Sequence, residues 1–300
     1  VKERKERFVP LLIEVEQDLK QDISLKSLAG RLGVSSFHFH RTFLGSIGET
    51  PKKHVERLRL ERASYLLAVT DEPIIDIALV VGFKNPETLS RNFKKFLGVT
   101  PRAYRRMAKA AQAERLVHTD FHSSSDYRLS RARFEKLPPM HLLAIRRMGA
   151  YGTFHRASGS SRNPWSDVLE WAAARGIATG PLRLGIYYDD PTLTPKPLQR
   201  ADFCIAVERP VEGSDPVRCM RFAGGLYGVV EYVGRIEHLL SAFRGLADEI
   251  RRSSVYAFAE GPPIDSLLEE NVDGSEGVQR IEIAFPVKRV RRVQQDSSRT

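Results

Sequence analysis

Apolar residues near the start of the chain recur at helical spacing, and the breaks between them fall on capping and turn residues. Phe8, Leu11, Leu12, Val15 and Leu19 mark a first helix over residues 8–20. Ser24 then caps a short helix over 25–32, with Leu25, Leu28, Ala29 and Leu32 facing inward. In the turn Gly33-Val34-Ser35, glycine supplies a positive φ and Ser35 caps the helix that follows, over 36–44. Phe39 and Phe43 pack inward there by their i, i+4 spacing, so Phe37, His40 and Arg41 face out. Thr50 as N-cap and Pro51 at the first helical position open a long helix to residue 69. At 1.5 Å per residue it is about 30 Å long.

The same pattern then recurs. Arg41, Phe43, Gly48, Thr50 and Pro51 match Arg91, Phe93, Gly98, Thr100 and Pro101 without gaps, and Ala29 and Gly33 match Ala78 and Gly82. The second copy has a supporting helix over 74–80, a turn at Val81-Gly82-Phe83 and a helix over 86–97. Leu89 and Phe93 pack inward there, leaving Glu87, Thr88, Arg91, Lys94 and Lys95 outward. Gly98-Val99-Thr100-Pro101 caps a last short helix. Two helix-turn-helix units joined by a rod of about 30 Å match the ~34 Å between successive major-groove faces of B-DNA. One chain so built could read an asymmetric site without a symmetric dimer. Arg57, Arg59 and Arg62 are expected to give the rod a basic side.

Charge supports that partner. The 300 residues carry a net charge of +10. Residues 1–110 hold 21 Lys and Arg against 13 Asp and Glu, an excess of eight, leaving only two for the rest. The length favours two domains. No apolar run approaches the length of a membrane span, and Val1 to Arg7 is charged with no apolar stretch behind it. No membrane partner or secretory signal is therefore expected. Cys204 and Cys219 give no disulfide framework, which suits a reducing, cytoplasmic setting. His38 with His40, and His118 with His122, lack a carboxylate or thiol to complete a site, so no metal and no cofactor are expected.

Periodicity fades over 111–126, where Ser123-Ser124-Ser125-Asp126 reads as the end of a linker. Residues 127–291 then follow a second, looser duplication, ahead of a tail over 292–300. Phe134-Glu135-Lys136-Leu137-Pro138 leading into 141–151 corresponds to Val217–Phe222 leading into 226–234. Each is strand, turn and strand, followed by a helix, over 165–174 and 235–252. Further strands are predicted over 183–188 and 202–207 in one half, and over 255–260 and 279–287 in the other. The fold class is multidomain: an all-α tandem helix-turn-helix domain over 1–110, then an α+β domain of two similar antiparallel-sheet halves over 127–291.

Two such halves would enclose a groove on the face opposite their helices. Aromatic residues are plentiful for it, among them Tyr151, Phe154, Trp165, Trp171, Tyr187, Tyr188, Tyr227, Tyr232 and Tyr256. In Ile281-Glu282-Ile283-Ala284-Phe285, alternation puts the isoleucines and Phe285 against the helix and turns Glu282 and Ala284 to the groove. A carboxylate among tyrosines could hold a cation, with ring faces adding about 0.5–2 kcal/mol. The alternative for Glu282 is a solvent-facing strand position.

Ala78-x-x-Val81-Gly82-Phe83, Leu89-Ser90-Arg91-Asn92-Phe93-Lys94-Lys95 and Gly98-x-Thr100-Pro101-x-x-Tyr104-Arg105 resemble the signature of AraC/XylS-type transcription regulators, over residues 8–108. The resemblance implies that Phe37, His40 and Arg41 meet bases in one groove, and Glu87, Thr88, Ser90 and Arg91 in the other. Pro86 stands where the family usually has a polar residue. Lys52, Lys94 and Lys95 read as phosphate contacts, and Arg41 and Arg91 have a phosphate or intraprotein ion pair as their alternative. Leu137-Pro138, Gly149-Ala150-Tyr151, Leu184-Gly185-Ile186-Tyr187-Tyr188-Asp189-Asp190-Pro191, Ala223-Gly224-Gly225-Leu226-Tyr227 and Ile281–Val287 resemble the GyrI-like effector-binding domain over about 127–290. That resemblance implies that Glu282, matching the family's acidic residue on the last strand, binds a small-molecule effector. With the groove aromatics Tyr151, Trp165, Tyr187, Tyr227 and Tyr256 beside it, an effector of cationic or aromatic character is expected. The expectation is a non-enzymatic regulator whose partners are double-stranded DNA, the effector and RNA polymerase. Two alternatives stay open for the second domain: a hydrolase using Glu282 as general base, and a protein-interaction module.

Overall fold

Side-chain caps set the helices of the first hundred residues. In the computed structural model, which describes residues 7–21, 23–114, 126–154 and 165–290, these are α1 Val9–Gln17, α2 Leu25–Arg31, α3 Ser36–Ile47, α4 Pro51–Val69, α5 Ile74–Val80, α6 Pro86–Leu97 and α7 Pro101–Glu114. Ser24, Ser35, Thr50 and Asn85 each accept a hydrogen bond from the amide three residues on. Each such cap contributes about 1 kcal/mol. Gly48 and Gly98 close α3 and α6 in the left-handed conformation, at φ 88° and 76°, where a side chain would be strained.

By its contacts the chain forms two units. The first comprises 1–111 with two short segments, 148–150 and 189–199; the second comprises the rest. Of the predicted linker over 111–126, residues 115–125 lie outside the described residues, as does the whole tail over 292–300.

The first unit has two apolar cores, and α4 serves both. Val55 and Leu58 join Phe8, Leu11, Leu12, Leu28, Phe39 and Phe43 in one. Leu60, Ala63, Leu66 and Leu67 join Ile77, Ala78, Leu89 and Phe93 in the other. The rod is thus a shared wall whose successive turns are buried in different cores, and the two helix-turn-helix units cannot swing independently of it. A second tie sits beside it. The Arg59 guanidinium donates twice to the Leu19 carbonyl, at 3.1 and 2.7 Å. A Cβ on Gly82, at φ 94°, would stand 2.2 Å from that same oxygen.

Two expectations are corrected here. Leu25, at the first position of α2, is 37% exposed instead of core. The arginines of α4 do not form a basic side. Arg57 is buried, donating to Glu49 Oε1 at 2.8 Å and to both oxygens of Glu61 at 3.0 Å, and Arg59 is spent on Leu19. Glu61 lies one helical turn from Arg57 and Glu49 sits just ahead of the Thr50 cap, so the cation is drawn in between two carboxylates instead of out.

The second unit is built on a ten-stranded sheet. Its strands are β1 Tyr127–Leu129, β2 Arg133–Leu137, β3 Met140–Met148, β4 Arg183–Tyr187, β5 Arg200–Val207, β6 Val217–Phe222, β7 Gly225–Arg235, β8 Tyr256–Phe258, β9 Ile264–Glu270 and β10 Val278–Arg289. The order is β1-β7-β10-β9-β4-β5-β3-β6, with β2 also on β7 and β8 on β10. The pairings that carry the site, β4 with β5 and β9, and β10 with β9 and β7, are antiparallel. The helices are α8 Tyr151–Phe154, α9 Ser166–Ala173 and α10 Leu239–Arg252. One face of the sheet packs Ile145, Phe203 and Ile205 on α9, and Val230, Ile281 and Ile283 on α10. The opposite face gathers Leu142, Leu184, Ile186, Cys204, Tyr227, Val229 and Ala284 in a separate core. The two halves are not separate sheets as expected: β2 of the first pairs with β7 of the second, and β6 of the second with β3 of the first. The third strand of the later half is β9, not 255–260, of which only β8 forms, beside the end of β10.

Candidate DNA-reading face and effector site

Both reading helices bury one stripe and present another. In α3, Phe39 and Phe43 are buried, while Phe37 and Arg41 are exposed and His40 is half-buried. In α6, Leu89 and Phe93 are buried, Glu87, Arg91, Lys94 and Lys95 are exposed, and Thr88 and Ser90 are half-buried. Lys52, on the first turn of α4, is exposed. The ten residues expected at DNA therefore all reach solvent, on helices whose other side is core. Pro86 takes the first position of α6 behind the Asn85 cap, where a missing N–H costs nothing.

The six residues expected at the effector separate into groups. Tyr151 of α8 and Tyr187 of β4 meet edge to face, with ring centroids 5.1 Å apart. Their hydroxyls point to different partners: Tyr151 donates to the Arg200 carbonyl at 3.0 Å, Tyr187 to Asp265 Oδ2 at 2.5 Å. Trp165 lies behind them as core, its indole N–H donating to the Leu184 carbonyl and its ring edge-on to Phe203. Tyr256 stacks on Phe134 at 3.9 Å, within the cluster beneath α10. Tyr227 and Glu282 are on the opposite face. Tyr227 packs against Phe222, and Glu282 is ion-paired with Arg133, which also holds Glu135.

Alternation turned Glu282 as expected, away from the helix, where Arg133 pairs with it, while the expected Tyr151, Tyr187 and Tyr256 lie in the helix-side clusters. Two buried carboxylates accept from tyrosines instead, Asp265 from Tyr187 and Asp202 from Tyr188, and the sequence reading named neither as a site residue. In the register of β9 on β10, Glu282 stands opposite Ser266, and Asp265 opposite Ile283. Neighbouring residues of a strand point to opposite faces, so Asp265 is on the helix side. It is 1% exposed. Burial raises its pKa to about 6, against the smaller lowering effects of the Tyr187 hydroxyl and the Gly185 backbone. Its Oδ1 has no hydrogen bond of good geometry among the described residues. Gly185 makes the space: a Cβ there would lie 2.3 Å from that oxygen and 3.0 Å from the Tyr187 hydroxyl.

A file of rings continues from this carboxylate. Tyr187 meets Phe243 of α10 at 5.7 Å, Phe243 meets Phe285 at 5.9 Å, and Phe285 meets Phe258 at 5.4 Å. Tyr151, Phe243, Phe258 and Phe285 are each half-buried. A buried carboxylate with one unsatisfied oxygen, lined by partly open aromatic rings, is chemically suited to an organic cation.

The other buried acid of the sheet, Asp202, is already satisfied. Arg146 Nε donates to it at 2.7 Å, the Tyr188 hydroxyl at 2.6 Å, and Arg218 completes the set. Burial raises its pKa, but these partners outweigh burial and hold it low.

Residues 28–107 match the profile of a helix-turn-helix domain family, and residues 132–288 that of the GyrI-like small molecule binding domain. The chain is 36% identical over 99 residues to the transcriptional regulator Rob of Salmonella typhimurium, covering 33% of this chain and 34% of Rob. It is 38% identical over 96 residues to the right origin-binding protein of Escherichia coli K12, covering 32% and 33%. The match thus spans about a third of the length of these relatives. The DNA-binding domain of AdpA, solved in complex with a target DNA, is similar at 26% identity and a TM-score of 0.35, over 36% of this chain and 96% of that one. No helix among the described residues is long and apolar enough to cross a membrane. With its second unit matched along nearly its whole sheet, the chain belongs to the GyrI-like small molecule binding domain family and carries an AraC-type helix-turn-helix domain ahead of it.

Proposed function

We propose that this chain is a cytoplasmic, sequence-specific DNA-binding transcription regulator whose second unit takes up a small organic cation. The observation that carries the DNA reading is the shared rod. α4 is buried in both cores of the first unit, so two exposed reading faces are held in one fixed arrangement. Basic excess in the same residues supplies phosphate affinity. RNA polymerase is the further partner such a regulator would meet.

The effector reading rests on Asp265. Its Oδ1 and the rings of Tyr151, Tyr187 and Phe243 would replace the water around a cationic group, and the half-buried rings would take up an apolar body. The ligand shifts the regulator only by binding one of its states more tightly than the other. Catalysis is not part of this proposal. Glu282, the general base a hydrolase would use, is occupied by Arg133.

Binding of the full chain to duplex DNA between 50 and 200 mM salt tests the first half. Six to ten phosphate contacts would lower affinity by about 10³–10⁵ over that range, and a salt-insensitive affinity would refute DNA binding by this face. Benzyltrimethylammonium tests the second half against its neutral isostere neopentylbenzene. The cation should bind more tightly and be recovered unchanged; equal binding, or conversion to product, would overturn the proposal.

A further inference from the structure

The two reading helices share one frame. α3 and α6 are twelve residues each, are entered through the caps of Ser35 and Asn85, and leave through Gly48 and Gly98. Every position of one therefore has a counterpart fifty residues on. Arg41 corresponds to Arg91 at one outward position, while others differ: Phe37 corresponds to Glu87, His40 to Ser90, Leu44 to Lys94 and Gly45 to Lys95. We propose that, among these, the pair of Phe37 and Glu87 writes one base difference between the two halves of the operator. Phe37 reads the 5-methyl group of a thymine, Glu87 reads the exocyclic amino group of a cytosine, and Arg41 and Arg91 each read a guanine at the equivalent place. The inference rests on the DNA-reading role proposed above.

Phe37 is the most exposed large apolar side chain among the described residues, at 77%. It is not loose packing, since Phe39 and Phe43 of the same helix already fill the core. Its ring is braced instead by Arg41, one turn along, whose guanidinium carbon lies 5.7 Å from the ring centroid. An exposed aromatic beside an arginine on a reading face has one apolar partner in the major groove, the thymine methyl. Glu87 can only accept hydrogen bonds. Of the two amino donors in the major groove, adenine N6 and cytosine N4, the cytosine group is the usual partner of a carboxylate, since adenine sets its amino group beside an acceptor at N7. Arginine presents two parallel donors, which suit guanine O6 and N7. Among the described residues, Arg41, Glu87 and Arg91 take no part in the ion pairs of the first unit. Four residues along a helix span about 6 Å. The two bases read by each helix should then lie within about two base-pair steps of one another.

Selection of bound sequences from a random duplex pool by the full chain gives an operator, and the decisive probe is deoxyuridine. Replacing the assigned thymine by uracil removes one methyl group and nothing else. The native chain should bind the uracil duplex about fourfold more weakly, the loss expected for one methyl. Phe37→Ala should bind both duplexes equally. Glu87→Gln should lose the cytosine preference by about tenfold, confined to the other half of the operator. Both positions are exposed, so an unchanged melting temperature confirms that the variants fold. Equal native affinity for thymine and uracil, or uniform weakening of all duplexes by Phe37→Ala, would overturn the assignment while leaving DNA binding intact. A pool with no enriched sequence and no salt dependence would remove the DNA-reading role as well.

Discussion

Tyr187 and Asp265 are joined across two antiparallel strands, the phenol donating to Oδ2 at 2.5 Å over a glycine that leaves the carboxylate room. Burial and the Asp265 charge together push the Tyr187 hydroxyl well above its ordinary pKa, so it remains the donor at every physiological pH. The pair fixes where a negative charge sits beneath the aromatic file.

Replacing Asp265 by Asn keeps the shape and removes that charge. Affinity for benzyltrimethylammonium should fall at least tenfold, and affinity for neopentylbenzene should stay within about twofold, as titration calorimetry would record. Loss of a charge-assisted contact is worth about 1.5–3 kcal/mol. Equal losses for both ligands would mean that Asp265 shapes the pocket without binding the cation.

The same carboxylate makes cation binding dependent on pH. Its pKa in the fold is raised, to about 6 from 3.8. The neutral acid is therefore favoured by folding, and the stability it contributes is complete below about pH 4 and lost as pH rises through 6. At about 1.4 kcal/mol per unit, the loss is on the order of 3 kcal/mol. A bound cation repays part of it by stabilising the ionised form. Affinity for benzyltrimethylammonium should fall about tenfold from pH 7 to pH 5, where roughly a tenth of Asp265 is ionised. Asp265→Asn should abolish that slope.

How far the sequence led is clearest at these residues. The tandem units, their caps and the outward faces of α3 and α6 were legible because amphipathic helices write their buried stripe directly into the spacing of Phe39, Phe43, Leu89 and Phe93. Glu282 was placed on the correct face by alternation, yet no one-dimensional pattern reveals a cross-strand partner, and Arg133 lies 149 residues away. β9 was missed because a charged residue occupies an inward position after Pro262-Pro263, and because Asp, Ser and Glu are weak strand formers. One signal did point to it: Gly185 in the middle of an otherwise bulky strand marks a close approach by something. The segment 189–199, read as part of the second domain, gives Leu198 to the first apolar core of the first unit. Its sequence has no periodicity from which that could be told.

Glu282→Gln provides the contrast to Asp265→Asn. Its carboxylate is 31% exposed and paired with Arg133 on the other face of the sheet. The substitution should change binding of benzyltrimethylammonium by less than about twofold, and stability by no more than about 1 kcal/mol, as for a partly exposed ion pair. A tenfold loss of cation affinity would place the effector on the face opposite the helices and overturn the assignment to Asp265.

In the first unit, Glu49 should govern acid sensitivity. Burial raises its pKa, but hydrogen bonds and charge from His54 and Arg57 outweigh burial and bring it from 4.5 to about 2. Lowering a carboxylate pKa by folding stabilises the fold above the unfolded value, and that stability is lost as pH falls from 4.5 towards 2. The loss is on the order of 3 kcal/mol. Hydrogen exchange of the α4 amides should therefore accelerate across that window in the native chain. Glu49→Gln should already exchange faster at pH 7 and show a flatter response to acid. Arg57→Ala should be worse, by about 3–5 kcal/mol, because it removes the buried cation that donates to both Glu49 and Glu61. Since α4 is a wall of both cores, loosening it should reduce DNA affinity in Arg57→Ala although Arg57 never reaches the reading face. Retained affinity with accelerated exchange would show that the rod need not be rigid for both helices to read.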